Sequence, residues 1–186
     1  MRFKMLKNTV LLFVLVLISC GSKSNSQVET SHQEVTPAKE APIIVGANNL
    51  MESLSQLDKK RVGIVANQTS VVFKNNGYTH LVDSLMAHEI DIKRVFAPEH
   101  GFRGKADAGE HVKDGLDKKT GLAVISLYGK NKKPTPEQLK DLDIVIFDIQ
   151  DVGVRFYTYI STLHYVMEAC AEANIPVMIL DRPNPN

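Results

Sequence analysis

The sequence predicts an α/β domain, Rossmann-like, with a mostly parallel sheet and helices on both faces. Three observations carry this reading. Short apolar runs rich in Val and Ile recur along the chain, at 61–67, 92–97, 124–127, 144–147 and 176–180. Stretches with apolar residues at helical spacing lie between them. The runs are almost continuously apolar rather than alternating, which marks strands buried on both faces of a parallel sheet. A complete (β/α)₈ barrel takes about 250 residues, and this chain has 186 with no internal repeat.

Taken in order, Leu50, Met51, Leu54 and Leu57 form the apolar stripe of a first helix. Arg61 to Asn67 is the first strand. Leu81, Val82, Leu85 and Met86 form a second helical stripe, followed by a strand from Ile92 to Ala97. Pro98 to Gly121 reads as a loop of 24 residues with five glycines. Loops of that length are uncommon in compact domains and often functional. After the strand at Val124–Leu127, Pro134–Leu142 predicts a short helix, with Thr135 as N-cap and Pro136 in its first position. Ile144–Phe147 is the fourth strand. Ile160, Leu163, Met167 and Cys170 line a longer helix, and Pro176–Leu180 is the fifth strand. The chain stops just past the carboxyl end of that strand, where an α/β domain normally continues into a helix. We therefore expect it to be the N-terminal part of a longer protein.

The first residues belong to a different category. Arg2, Lys4 and Lys7 precede an unbroken apolar run from Val10 to Ile18. Nine residues are too few to span a bilayer, which takes about 20, but suit the h-region of a signal peptide. Leu17-Ile18-Ser19-Cys20-Gly21 resembles the lipobox of bacterial lipoproteins. The expected organisation is a signal peptide over 1–19, a lipidated Cys20 with a flexible tether to residue 42, and the folded domain over 43–186. An acylated Cys20 anchors a protein to the membrane without spanning it. The implied location is the bacterial cell envelope, facing the periplasm or the outside of the cell. The tether is rich in Ser, Thr, Gln, Glu and Lys, a composition that favours reach over packing. His32 lies within it and receives no role.

The formal net charge is +1, from 22 Lys+Arg against 21 Asp+Glu. Loss of residues 1–19 removes three positive charges and no acid, which leaves −2. Neither value carries the basic footprint of a nucleic-acid partner. With only two Cys, no disulfide framework is available, and Cys170 on its helical stripe reads as a small buried hydrophobe. No G-x-G-x-x-G follows the first strand, so no dinucleotide cofactor is expected. Gly101-Phe-Arg-Gly-Lys105 has the wrong spacing for a phosphate loop, and no G-x-S-x-G or H-E-x-x-H occurs.

In open α/β sheets, ligands bind outside the carboxyl ends of the strands. The residues found there are Asn67-Gln68-Thr69-Ser70, Pro98 to Gly104, Tyr128-Gly129-Lys130, Asp148 to Tyr157 and Asp181-Arg182-Pro183-Asn184. Amides, carboxylates, arginines and tyrosines on one edge have the makeup of a carbohydrate site.

Five strings occur together and in order: Ala97-Pro-Glu-His-Gly-Phe-Arg-Gly104, Asp107-Ala-Gly-Glu110, Ser126-Leu-Tyr-Gly129, Phe147-Asp-Ile-Gln-Asp-Val-Gly-Val-Arg-Phe-Tyr-Thr-Tyr159 and Leu180-Asp-Arg-Pro-Asn-Pro185. In these, the chain from Ile43 to Asn186 resembles the bacterial exo-β-N-acetylmuramidase (NamZ-type) family, formerly a domain of unknown function. The resemblance implies a two-part enzyme, with a Rossmann-like domain carrying the catalytic cleft and a smaller C-terminal domain that this sequence does not reach. It also implies release of N-acetylmuramic acid from the non-reducing end of peptidoglycan fragments. The substrate would be muropeptides or MurNAc-GlcNAc, the setting cell-wall turnover, and the catalytic carboxylate Glu99.

Glycoside hydrolysis usually takes two carboxyl groups. Glu99 is the candidate general acid, with Phe102 as an apolar wall able to raise its pKa. Asp148 and Asp151 are the candidates for the second, with Asp181 a third by position. Asp148, directly after a strand, could instead hold a neighbouring loop. Arg103, Arg155 and Arg182 are candidates for a forked contact to the lactyl carboxylate of muramic acid, or for structural ion pairs. His100 could orient Glu99 or contact sugar hydroxyls. His164, on an apolar stripe, reads as a core histidine. Of Tyr157 and Tyr159 one faces the cleft and the other packs, with Tyr157 the binding candidate. Asn67, Tyr128, Gln150, Asp181 and Asn184 complete the candidate substrate contacts.

Two other classes compete. Glu99-His100 and Glu110-His111 offer ligands for a metal-dependent hydrolase, though their spacing matches no metal motif and no metal is expected. A non-catalytic muropeptide-binding lipoprotein is the other.

Overall fold

The structure, a computed structural model, describes residues 42–107, 110 and 112–186. The expected signal peptide, Cys20 and the tether up to residue 41 lie outside the described residues, as does His111. Among the described residues no helix is long and apolar enough to cross a membrane.

Helix α1 (Gly46–Met51) and a 3₁₀ turn (Leu54–Leu57) open the domain, followed by strand β1 (Val62–Ala66). A hairpin of β2 (Val71–Lys74) and β3 (Gly77–His80) leads into α2 (Leu81–Ala87) and β4 (Ile92–Ala97). Then come β5 (Gly115–Leu116), β6 (Ala123–Ser126), α3 (Pro136–Leu139), β7 (Ile144–Asp148), α4 (Tyr159–Glu172) and β8 (Val177–Ile179). The main sheet has the order β5-β6-β4-β1-β7-β8. All its pairings are parallel except β5 with β6.

Alternation along the buried strands divides the core. Val62, Ile64 and Ala66 of β1 and Ile144 and Ile146 of β7 pack with Ala47 and Leu50 of α1 and Leu81, Val82 and Leu85 of α2. Val65, Phe96, Val145 and Phe147 point the other way, against Leu139 of α3 and Tyr159, Val166, Ala169 and Cys170 of α4. Helices thus cover both faces, as the sequence predicts. Cys170 is buried in the second cluster, and burial pushes its thiol up to about 11.

Three local expectations are corrected, and one element is new. The stripe at 50–57 is not one helix: Ser53 Oγ donates to Asn49 O, and the chain leaves α1 before the 3₁₀ turn. The segment 71–80 is a hairpin, in register from Val71↔His80 to Lys74↔Gly77. Asn75 and Asn76 form its tip, and Gly77 has φ +109°, a conformation other residues resist. The long loop is interrupted by β5, which adds an antiparallel edge to the sheet. His164 is exposed on α4 and is not a core residue; its ring lies against Tyr165 at 5.8 Å.

α3 keeps the predicted start. Thr135 Oγ1 accepts from the Gln138 amide, and Gln138 Oε1 accepts from the Thr135 amide, closing a capping box with Pro136 just inside.

The topology also fixes where a ligand can sit. From β1 the chain moves outward on one side, to β4 and then β6. It then returns to the other side of β1, to β7 and then β8. The strand order reverses between β1 and β7, and the loops leaving their carboxyl ends diverge and open a crevice.

Candidate active site

The floor of the crevice is built where β1 and β7 end side by side, with Ala66 paired to Asp148. Asn67 and Ser70 are fully buried. Asn67 Oδ1 accepts from both the amide and the hydroxyl of Thr69. Ser70 Oγ receives the Asn67 amide and donates to the Asp148 carbonyl. Thr69 Oγ1 accepts from the Gln150 amide. These short polar side chains tie the two diverging loops together without secondary structure.

Below this floor Asp148 is wholly buried and paired with Arg182, at 2.6 Å to Nε and 2.9 Å to Nη2. Arg182 Nη2 also donates to the Val71 carbonyl at 2.8 Å. Burial pushes the Asp148 carboxyl up from its ordinary value, and Arg182 opposes that shift. The fork ties the end of β7, the hairpin and the segment after β8 into one unit. Asp148 and Arg182 are therefore ion-pair partners of each other.

Arg103 is occupied in the same way. It donates to Asp83 at 2.9 Å and to Asp117 at 2.7 Å, and its guanidinium lies 4.3 Å from the centre of the Phe102 ring. The Arg103 hydrogen bond is the main cause that brings the Asp117 carboxyl down to about 2. Phe102 is buried in the first core cluster and meets the His80 ring edge-on at 4.9 Å. His80 itself donates from Nε2 to the Asn67 carbonyl, and burial lowers its pKa. The cluster pins the loop after β4 to α2.

That loop carries Glu99. His100 adopts φ +67° and donates from Nδ1 to the Ala106 carbonyl at 3.1 Å, which closes the loop on itself. Gly104, at φ +64°, passes so close to Gln68 that a Cβ there would stand 2.8 Å from its side chain. Glu99 is left half-buried at the mouth of the crevice. Its Oε2 accepts from the Thr158 hydroxyl at 3.0 Å, at the start of α4. The hydrogen bond to Glu99 raises the Tyr128 phenol, which reaches it from the end of β6. The Glu99 charge also acts on Tyr159. Tyr128 after β6 and Thr158 at the start of α4 thus meet the carboxylate carried by the loop after β4.

The remaining expected contacts divide. Tyr128 belongs to this group, while Asn67 stays in the floor, bonded to Thr69 and Ser70. Gln150 spends its amide on the carbonyls of Asp151 and Pro183. Asp151 is half-buried and accepts from the Gly153 amide at 3.3 Å. With Asp181, it lines a groove between α4 and β8. Asn184 packs against Gly153 and accepts from the Asn186 amide. Arg155 is exposed and makes no ion pair or hydrogen bond among the described residues. Tyr157 is 42% exposed and Tyr159 only 6%. Among the described residues no group of three His, Cys, Asp or Glu side chains comes together to hold a metal.

Sequence reading missed Thr158 and Tyr159 as neighbours of Glu99. A signal was present, since Thr158 is the residue from which α4 starts. Its hydroxyl does not cap that helix and is turned to Glu99 instead.

Residues 62–186 match the family described as exo-β-N-acetylmuramidase NamZ, N-terminal. The chain is 44% identical over 182 residues to the peptidoglycan β-N-acetylmuramidase NamZ of Bacillus subtilis (strain 168), covering 97% of this chain and 43% of that protein. Two solved structures of DUF1343 family proteins from Bacteroides fragilis NCTC 9343 share the fold. One has a TM-score of 0.67 and 44% identity, over 77% of this chain and 36% of that one. The other has a TM-score of 0.64 and 39% identity, over 78% and 36%. The chain thus spans less than half the length of each of these relatives. On the family match and on the sequence identity, the chain belongs to the exo-β-N-acetylmuramidase NamZ family and corresponds to its N-terminal part.

Proposed function

We propose that this chain carries the catalytic face of an exo-acting glycoside hydrolase that releases N-acetylmuramic acid from the non-reducing end of peptidoglycan fragments. One observation carries the reading: a half-buried glutamate at the carboxyl edge of a parallel sheet, held by a threonine hydroxyl and flanked by two tyrosines. Family membership and the activity in the name of the Bacillus relative support it. As general acid, Glu99 gives its proton to the glycosidic oxygen as the bond to C1 breaks. The leaving sugar departs as an alcohol and water adds at C1, while the surrounding hydroxyls hold the carboxyl in place.

The test is direct. The full chain, incubated with MurNAc-GlcNAc, releases free N-acetylmuramic acid, followed by chromatography. Calorimetric binding without release would instead favour a muropeptide-binding protein.

Muramic acid differs from glucosamine in its lactyl carboxylate. Of the three arginines considered, Arg155 alone has its guanidinium unengaged among the described residues, and we assign it that contact. One charge-assisted hydrogen bond is worth about 1.5 kcal/mol or more, or about tenfold in affinity. Arg155→Gln is therefore expected to raise KM about tenfold and leave kcat nearly unchanged. On the methyl ester of the same disaccharide, wild type and variant should behave alike. An undiminished preference for the free acid in the variant would remove Arg155 from the site.

The lipobox-like string ending at Cys20 supports a lipid anchor and a place in the cell envelope, facing the peptidoglycan.

A further inference from the structure

We propose that Thr158 is a positioning residue for this reaction, its hydroxyl holding Oε2 of Glu99 so that Oε1 carries the proton given to the glycosidic oxygen. The assignment rests on the hydrolase reading above and deepens it with a residue outside the expected set.

The argument starts from what Thr158 does not do. It stands at the N-cap of α4, where a threonine hydroxyl ordinarily accepts from an amide two or three residues on, with extended backbone at the cap. Thr158 has φ −87° and ψ −7°, already helical, and its side chain makes no capping bond. Only its carbonyl serves the helix, accepting from the Thr162 amide at 3.1 Å. The hydroxyl donates to Glu99 Oε2 at 3.0 Å, across 59 residues of sequence.

The two partners are mounted differently. The loop around Glu99 is turned by the bond from the Gly101 amide to the Pro98 carbonyl and by the left-handed His100. That fixes the main chain of Glu99 and not its carboxyl group. The last torsion of a glutamate is broad and roughly two-fold, so its two oxygens exchange places easily. Thr158 has a short, β-branched side chain with few rotamers. It begins a helix of 14 residues anchored by the buried Thr162, Val166, Ala169 and Cys170. The helix is therefore the fixed mount, and the carboxyl is the part that has to be held. A protonated carboxyl has one O–H and an acceptor side. With the Thr158 proton on Oε2, that oxygen is the acceptor side and the transferable proton belongs on Oε1. A reacting group locked by a bond from a rigid element keeps its productive geometry.

The test compares wild type, Thr158→Val, Thr158→Ser, Glu99→Gln and the Thr158→Val/Glu99→Gln double variant, as full chains on MurNAc-GlcNAc. Valine keeps the branched shape and removes only the hydroxyl. No capping bond is lost, so the melting temperature stays within about 2 °C. Loss of one hydrogen bond to the reacting carboxyl is expected to lower kcat about tenfold to a hundredfold. KM stays within about threefold of wild type, since the bond places a catalytic group and does not hold the sugar. Serine keeps the hydroxyl and recovers most of the loss. In the Glu99→Gln background the same valine changes the residual rate by less than about twofold, because no proton is left to direct. A purely structural role would instead lower the melting temperature and act alike in both backgrounds. If wild type is active and Thr158→Val keeps kcat within about threefold, or loses as much again in the Glu99→Gln background, this assignment falls and the hydrolase reading stands. If wild type releases nothing, both fall together.

Discussion

Replacing Glu99 with glutamine lowers turnover of MurNAc-GlcNAc about a thousandfold, within the range removed with a general acid or base, while the chain keeps its fold. The two side chains have the same shape. The glutamine carbonyl can still accept from Thr158, so the start of α4 and the loop after β4 keep their connection. Only the charge and the exchangeable proton are lost. Glu99→Asp separates chemistry from placement. It keeps the carboxylate but draws it back by one methylene, away from the Thr158 and Tyr128 hydroxyls. Misplacement by about 1 Å costs on the order of a hundredfold, so the aspartate variant falls between wild type and glutamine. Initial rates of sugar release, read with circular dichroism spectra, decide the matter. A glutamine variant with near-normal turnover would remove Glu99 from the chemistry.

The sheet was legible because its strands are buried on both faces and carry unbroken apolar runs. The hairpin was not, since Val72 alone of β2 and β3 is buried and no run forms. Its signal was of another kind, the Asn75-Asn76-Gly77 tip, which marks a tight turn. His164 was misread because spacing places a residue on a helix stripe without saying how wide the covered stripe is. Ile160 and Met167 on the same stripe are also exposed.

The site was legible at Glu99 through its motif and its place after a strand. It was not legible at the arginines. Arg103, Arg155 and Arg182 look equivalent in the sequence, all within polar loops after strands. What separates them is whether a carboxylate from elsewhere in the chain meets them. Asp83 and Asp117 meet Arg103, from α2 and from beside β5. Asp148 meets Arg182, from 34 residues upstream. The tyrosines were open for the same reason. Tyr157 and Tyr159 have the same parity, and only the start of α4 between them turns one into the core.

Asp148→Asn is expected to cost about 3–5 kcal/mol of stability, the usual penalty for breaking a buried ion pair from one side. Arg182 is only 3% exposed at its side chain and would keep its charge with no anion to face. For a domain of this size, each kcal/mol moves the melting temperature by roughly 2–4 °C, so the midpoint should fall by about 10 °C. Asp148→Leu combined with Arg182→Met removes both charges and restores most of the loss, because an apolar pair of similar volume often replaces a buried salt bridge at little cost. The recovery stays incomplete, since the bond from Arg182 to the Val71 carbonyl goes with the guanidinium. Thermal melts of the single and double variants test this. The same variants, assayed also for turnover, separate the two roles open to Asp148 in the sequence. A catalytic carboxylate replaced by Asn leaves a well-folded, inactive protein, and the double variant stays inactive too. A structural one gives a protein that melts early but turns over below its midpoint, with activity returning in the double variant. The bidentate fork, its complete burial and its three-way junction between β7, the hairpin and the segment after β8 place Asp148 in the second class.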